Sequence, residues 1–260
     1  MSATEGAVAR RPRRTWDSNL LKLIAIAAMT VDHLAWMLFP GYDRNALALV
    51  MHVIGRLTCP IMCFFIAEGY HYTRSKAKYA ARLLLLVVVS HFAYVFASHD
   101  FTGWRSFIPF ASGSVLNQTS VVWSLLGGLL MLWVCDSERL KTPVKVVCVL
   151  LLCAVTFPAD WSCIAALCIL SIGSNRNAPK KQILWCLFYV SLYAVVYCLA
   201  LDRVYGLLQL CVVLSIPLLA RYNGRRGASP AINRVMKWLF YLYYPLHLFI
   251  IGLLQWLPQR

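Results

Sequence analysis

The sequence predicts an all-α, polytopic integral membrane helix bundle of about nine transmembrane helices with a cytoplasmic N-terminus. Three observations predict it. The first is composition: 60% of the 260 residues are hydrophobic, only 13% are charged, and the mean hydropathy is +0.66. A soluble domain runs at about 45–50% apolar and about 25% charged, and disordered chains are apolar-poor and charge-rich, so both classes are excluded. The second is a run of apolar stretches near the ~20 residues that a helix needs to cross the hydrocarbon core. The third is the placement of the positive charges. The chain carries 25 Lys and Arg against 10 Asp and Glu, a net charge of +15, and in a polytopic protein such an excess collects on the cytoplasmic side.

In chain order, the predicted segments are Leu20–Phe39, Ala46–Gly69, Ala80–Ala97, Leu116–Cys135, Val144–Phe157, Asp160–Ser171, Gln182–Ala200, Val204–Ala220 and Lys237–Leu257. The first is too long for a cleavable signal peptide and no small-residue cleavage site follows it. It is preceded by a basic tail, residues 1–18, carrying Arg10, Arg11, Arg13 and Arg14. Residues 19–260 read as a single transmembrane domain without repeat or linker. The fifth and sixth segments are short, with only Pro158 and Ala159 between them, which fits either a tilted hairpin in thinned bilayer or a re-entrant pair. With the N-terminus inside and all nine segments crossing, 19 of the 25 basic residues fall on the cytoplasmic side and only Arg44, Arg105, Arg203 and Arg260 outside. If only one of the two short segments crossed, the later loops would exchange sides and that asymmetry would be lost. The basic balance therefore reads as topology and gives no ground for a nucleic-acid partner.

The ten cysteines are scattered through the apolar segments with no CxxC and no zinc-type spacing, so they read as small buried hydrophobes and no metal is expected. There is no GxSxG, Walker or HExxH motif and no Gly-rich nucleotide loop. Chemistry must then come from polar groups inside the membrane, where each costs several kcal/mol unless it is paired or faces a cavity. Lys22 and His33 are eleven residues apart, about 20° beyond three full turns, and share one face of the first helix roughly 16 Å apart along its axis. Asp32 points about 100° away from His33, so it is expected to pair with a neighbour. Arg56 lies at comparable depth on the second segment and is the natural partner. His91, Asn117 with Gln118, and Tyr244 and His247 in YYPLHLF fall at similar depth, and together these groups predict a polar chamber. Pro245 is expected to kink the last helix there. Glu68 opens the stretch GYHYTRSKAKYAAR, whose Tyr72, Arg74 and Lys78 suit either anionic lipid or a phosphorylated cytosolic ligand.

Four stretches carry a resemblance: LKLIAIAAMTVDHLAWMLFP, IGRLTCPIMCFFIAEGYHYTRSKAKYAARLL, NQTSVVWSLLGGL and KWLFYLYYPLHLFII. They are similar to the TraX family, multi-pass membrane acetylases named for N-terminal acetylation of conjugative pilin. TraX proteins are grouped with wider membrane acyltransferases, including the acyltransferase-3 enzymes and the lysosomal heparan acetyltransferase. In the acyltransferase-3 enzymes a basic residue, ten intervening residues and a histidine stand in the first helix, and Lys22 to His33 looks like that motif. The resemblance implies acetyl-CoA as donor and His33 as the catalytic histidine. VSHFAYVFAS has His91 where many relatives carry an acidic residue, and the stretch after Asp160 lacks the expected glycines. Both departures bear on the acceptor.

The resulting expectation is a membrane-embedded, acetyl-CoA-dependent acyltransferase of the bacterial cytoplasmic membrane. Its acceptor is a peptide, glycan or small molecule bearing an amine or hydroxyl. His33, as general base or acyl carrier, works with Asp32 and Arg56; Lys22, Tyr72, Arg74 and Lys78 meet the donor; and Glu68, His91, Asn117, Tyr244 and His247 line the chamber or acceptor site. The competing expectation is a small proton-coupled transporter using the same intramembrane His, Asp and Arg groups.

Overall fold

A computed structural model describes residues 15–98, 101–111 and 114–257. The tail with Arg10, Arg11, Arg13 and Arg14, and Arg260 at the other end, lie outside the described residues. All regular elements among the described residues are helices. They are α1 (Ser18–Leu38), α2 (Ala46–Gly55), α3 (Thr58–Tyr72), α4 (Lys76–Phe96), α5 (Val121–Cys135), α6 (Thr142–Thr156), α7 (Ser162–Ser174), α8 (Pro179–Ala200), α9 (Arg203–Leu208), α10 (Ser215–Ala220) and α11 (Pro230–Trp256).

Six helical units are long and apolar enough to cross a membrane, not nine. They are α1, the α2–α3 pair, α4, α8, the α9–α10 pair and α11. Their outward faces are apolar: Leu85, Leu199 and Val235 are 67%, 84% and 65% exposed, the pattern of a bundle solvated by lipid rather than water. The other three predicted spans form shorter helices, α5, α6 and α7, of 15, 15 and 13 residues. At 1.5 Å per residue these are about 20–22 Å long, against about 31 Å for the 21 residues of α1. The fourth segment falls short because residues 116–120 are not helical. They pair instead with the α6–α7 turn, through Gln118 N–H to Pro158 O and Asp160 N–H to Thr119 O.

One end of the bundle gathers the basic residues. There the start of α1 bonds the α10–α11 loop, through Ser18 N–H to Arg225 O, and Glu68 meets Arg176 at 3.6 Å. Lys76 meets Asp136 at 2.5 Å. With the Tyr70 hydroxyl also donating, that lysine holds the Asp136 carboxyl below its usual range. Helices α5 and α7 both start from this end's opposite side and pack closely: a Cβ on Gly128 would run into Ile169, and one on Gly173 into Leu132. Small residues are what let membrane helices approach this far.

The second predicted segment is interrupted at Arg56 and Leu57. Pro60 has no N–H to donate to the Arg56 carbonyl, and its ring crowds that position, so α2 ends at Gly55 and α3 restarts at Thr58. The eighth segment is also compound: residues Gln209–Leu214 tighten into a 3-10 stretch between α9 and α10. In contrast, α11 continues through Pro245 as one 27-residue helix.

Candidate functional site

Helices α5, α6 and α7 do not fill the depth that α1, α4 and α11 span. At the level where they stop, a chamber of about 670 Å³ opens. Asp32, His33, Arg56, Asp160, Trp161 and Gln209 line it, Tyr94, Tyr193 and Tyr197 wall it, and the connection after α4 covers it with Arg105, Asn117 and Gln118. The α6–α7 turn forms part of its floor. There Trp161 and Ser162 hold left-handed backbone, φ 61° and 48°, an unfavourable conformation for a bulky side chain. Ser124 Oγ donates to Ser162 O at 2.6 Å and helps hold the turn.

The break between α2 and α3 places Arg56 in the chamber wall. Its Nη2 donates to Asp32 Oδ1 and Oδ2 at 2.9 and 3.1 Å, its Nη1 to Gln209 Oε1 at 2.8 Å, and its Nε to His52 O at 3.2 Å. The guanidinium also lies over the Trp161 ring, 5.5 Å from its centroid. His52 donates from Nδ1 to Asp32 Oδ1 at 2.9 Å. Asp32 can reach α2 this closely because residue 55 is glycine; a Cβ there would overlap the Asp32 side chain. The carboxylate is thus held by two donors and points away from His33, as its helical angle requires.

On the other side of α1, His33 faces α11. His33 Nδ1 lies 3.0 Å from Met29 O and 3.1 Å from His247 Nε2, and His247 Nδ1 lies 2.9 Å from Tyr243 O. Tyr244 is buried, its ring 6.4 Å from His33 and 5.6 Å from His247. Tyr244 also ends a second, narrower cleft of about 200 Å³ from the basic end, which carries Lys22, Tyr72, Arg82, Arg226 and Lys237. The Lys22 ammonium sits 5.1 and 5.2 Å from the Phe65 and Phe240 ring centroids and has no ion pair among the described residues.

Other predicted site residues lie elsewhere. His91 is held by Thr119 Oγ1 and Phe107 O, at 3.1 and 2.9 Å, and braces the cover instead of lining the chamber. Glu68 is at the basic end, beside a third cavity of about 600 Å³ that it shares with Tyr72 and Arg176. Arg74 and Lys78 line none of these three cavities. Asn117 lies in the chamber cover with φ 53°. Among the described residues no cluster of His, Cys, Asp or Glu is arranged to hold a metal ion.

Sequence reasoning missed His52, Gln209 and Trp161. His52 carries a signal, because it stands one helical turn before Arg56 in an otherwise apolar stretch. Gln209 is a single amide in LLQLCVV and has a weaker one. Trp161 has none, since its place depends on the α6–α7 turn.

A protein-family profile described as TraX protein matches residues 17–255. The probable fimbrial assembly protein FimC, serogroup H1, of Dichelobacter nodosus is 30% identical over 244 residues, covering 89% of this chain and 92% of that protein. The uncharacterized protein RP591 of Rickettsia prowazekii (strain Madrid E) is 39% identical over 59 residues, 23% of this chain and 21% of that protein. No solved structure matches the chain.

Proposed function

The chain belongs to the TraX family, and from that premise we propose that it is a membrane-embedded acyltransferase. In this reading it takes acetyl from acetyl-CoA and passes it to an amine or hydroxyl acceptor, in the bacterial cytoplasmic membrane with its basic end inward. One observation carries the reading. His33 stands between a cation-bearing cleft that ends at Tyr244 beside it and a 670 Å³ chamber that opens on its other side. A donor and an acceptor could therefore approach one imidazole from opposite ends of the bundle.

The donor phosphates would meet Lys22 and the cations around it, with Tyr72 at the mouth and Arg74 and Lys78 on the adjoining surface. The thioester arm would run toward Tyr244 and His33. The acceptor would lie in the chamber, where His33 takes the proton from its N–H or O–H. The acceptor atom then bonds to the acetyl carbon, the C–S bond breaks, and the proton passes to the departing CoA thiolate. Asp32, Arg56, His52 and Gln209 would keep the chamber wall rigid. The relative named for fimbrial assembly directs the search for an acceptor first to a peptide amine of a pilin-type subunit, then to glycan or small-molecule hydroxyls.

The test uses protein in nanodiscs with acetyl-labelled CoA and candidate peptides bearing a free N-terminus. Wild type is expected to label the peptide, and His33→Ala to lower the rate by about 10²–10⁴-fold with an unchanged melting temperature. Transfer by folded His33→Ala at the wild-type rate would falsify the assignment of His33.

A further inference from the structure

The hydrogen-bond pattern around His33 fixes where the imidazole protons sit, and it gives His247 a defined task. A carbonyl oxygen can only accept. His247 Nδ1 faces Tyr243 O at 2.9 Å, so in the neutral ring Nδ1 carries the proton and Nε2 carries the lone pair. That bare Nε2 faces His33 Nδ1 at 3.1 Å, and His33 Nδ1 also faces Met29 O at 3.0 Å. Both neighbours of His33 Nδ1 are acceptors, so it bears the proton. The reverse assignment would set a bare nitrogen against a carbonyl in both rings. His33 Nε2 then holds the lone pair, with no hydrogen bond among the described residues.

We propose that His247 is the positioning residue of the site, an uncharged imidazole that accepts from His33 Nδ1–H and so leaves His33 Nε2 free to take the acceptor's proton. When Nε2 gains that proton, His33 becomes an imidazolium. The His247 lone pair then stabilises the new charge, the task a carboxylate performs in a Ser-His-Asp arrangement. Among the described residues no carboxylate hydrogen-bonds to His33, and the adjacent Asp32 is turned toward Arg56 and His52. The His247 ring is itself fixed. Tyr243 stacks on it at 13° with centroids 5.1 Å apart. The Thr30 hydroxyl donates to Ile26 O at 2.8 Å, so its oxygen accepts from the Tyr243 hydroxyl at 2.6 Å. That bond ties α11 to α1 one turn from His33.

This inference rests on the acyl-transfer reading only for its kinetic part, and its test has two arms. The first is ¹⁵N NMR of histidine-labelled wild-type protein in nanodiscs, assigned with His33→Gln and His247→Gln. The expected result is Nδ1–H and bare Nε2 in both rings, with a through-hydrogen-bond coupling between His33 Nδ1 and His247 Nε2. A protonated His247 Nε2, or no coupling, overturns the proposal without reference to turnover. The second arm is kinetic. His247→Ala is expected to lower kcat by about 10- to 100-fold, part of the 10²–10⁴ available to a general base, with KM for acetyl-CoA within about two-fold. His247→Gln, whose amide oxygen can still accept, is expected to recover several-fold of that loss. Wild-type kcat in folded His247→Ala overturns the proposal. Should His33→Ala itself keep wild-type transfer, the acyl-transfer reading of His33 fails, while the NMR arm still decides the hydrogen bonding.

Discussion

Lys22 and Arg56 both stand in apolar stretches of long helical units, and they are treated in opposite ways. Arg56 is fully engaged: all three guanidinium nitrogens donate, to Asp32, Gln209 and a backbone carbonyl, and an indole covers its face. Lys22 has two phenylalanine rings and, among the described residues, no carboxylate. Its neighbours in the cleft are more cations, Arg82, Arg226 and Lys237. A buried charge without a partner is costly, and aromatic faces return about 0.5–2 kcal/mol. The difference teaches that Arg56 is bound into the architecture, whereas Lys22 keeps a charge unpaired among the described residues, as the proposed donor site requires.

That contrast can be broken in order of expected effect. Replacing Arg56 by Leu strands the Asp32 carboxylate in the chamber wall, and removing one partner of a buried pair costs about 3–5 kcal/mol. The melting temperature in detergent is expected to fall sharply and the protein to express poorly; a melting temperature equal to wild type would show that the network is not structural. Lys22→Gln is expected to do the reverse. The fold should change by less than about 1 kcal/mol, because no ion pair is lost, while KM for acetyl-CoA rises about 10-fold, the worth of about 1.4 kcal/mol. If Lys22→Gln unfolds the protein as Arg56→Leu does, the two cations are not different in kind.

Lys78→Ala comes next, with an expected change in KM of under about three-fold, since Lys78 lies outside the cleft; titration of the donor rate decides it. The smallest effect belongs to the exposed pair of Lys76 and Asp136. The Asp136 carboxyl is held below its usual range by Lys76 and then Tyr70. It therefore adds stability above the ordinary aspartate pKa and loses it as pH falls through its lowered value. Asp136→Asn is expected to cost under about 1 kcal/mol at pH 7 and nothing at strongly acid pH. A difference that grows on acidification would reverse the sign assigned to this pair.

Much of the helical body was legible in one dimension, because the need to satisfy backbone groups in lipid leaves helices as the only open-chain solution for such apolar runs. Span number was less legible. Hydropathy places the ends of a span only loosely: of residues 116–120 only Leu116 is apolar, and the stretch bonds to the α6–α7 turn instead of lengthening α5. The break before α3 was written in Pro60 and hidden by the apolar residues around it. Within the site, the shared face of Lys22 and His33 follows from helical periodicity. Pairing Asp32 with Arg56 follows from scarcity, since few opposite charges share that depth. The position of His91 does not follow, because depth along a helix does not say which way the ring turns or what the next loop offers it.

The sequence by itself determined a basic-ended, apolar helical bundle of the TraX family, and it marked Lys22, Asp32, His33 and Arg56 as the groups that need explaining. Hydrophobic run length and the cost of charge in lipid act locally, and both can be read residue by residue. Only the tertiary structure decided that three helices stop short and leave a chamber. It also decided that His52 and Gln209 complete the Arg56 network, and that His247 stands against His33. Those contacts join residues up to 214 positions apart, and they depend on how helix faces rotate against one another when the bundle packs, a quantity that no single stretch of sequence contains.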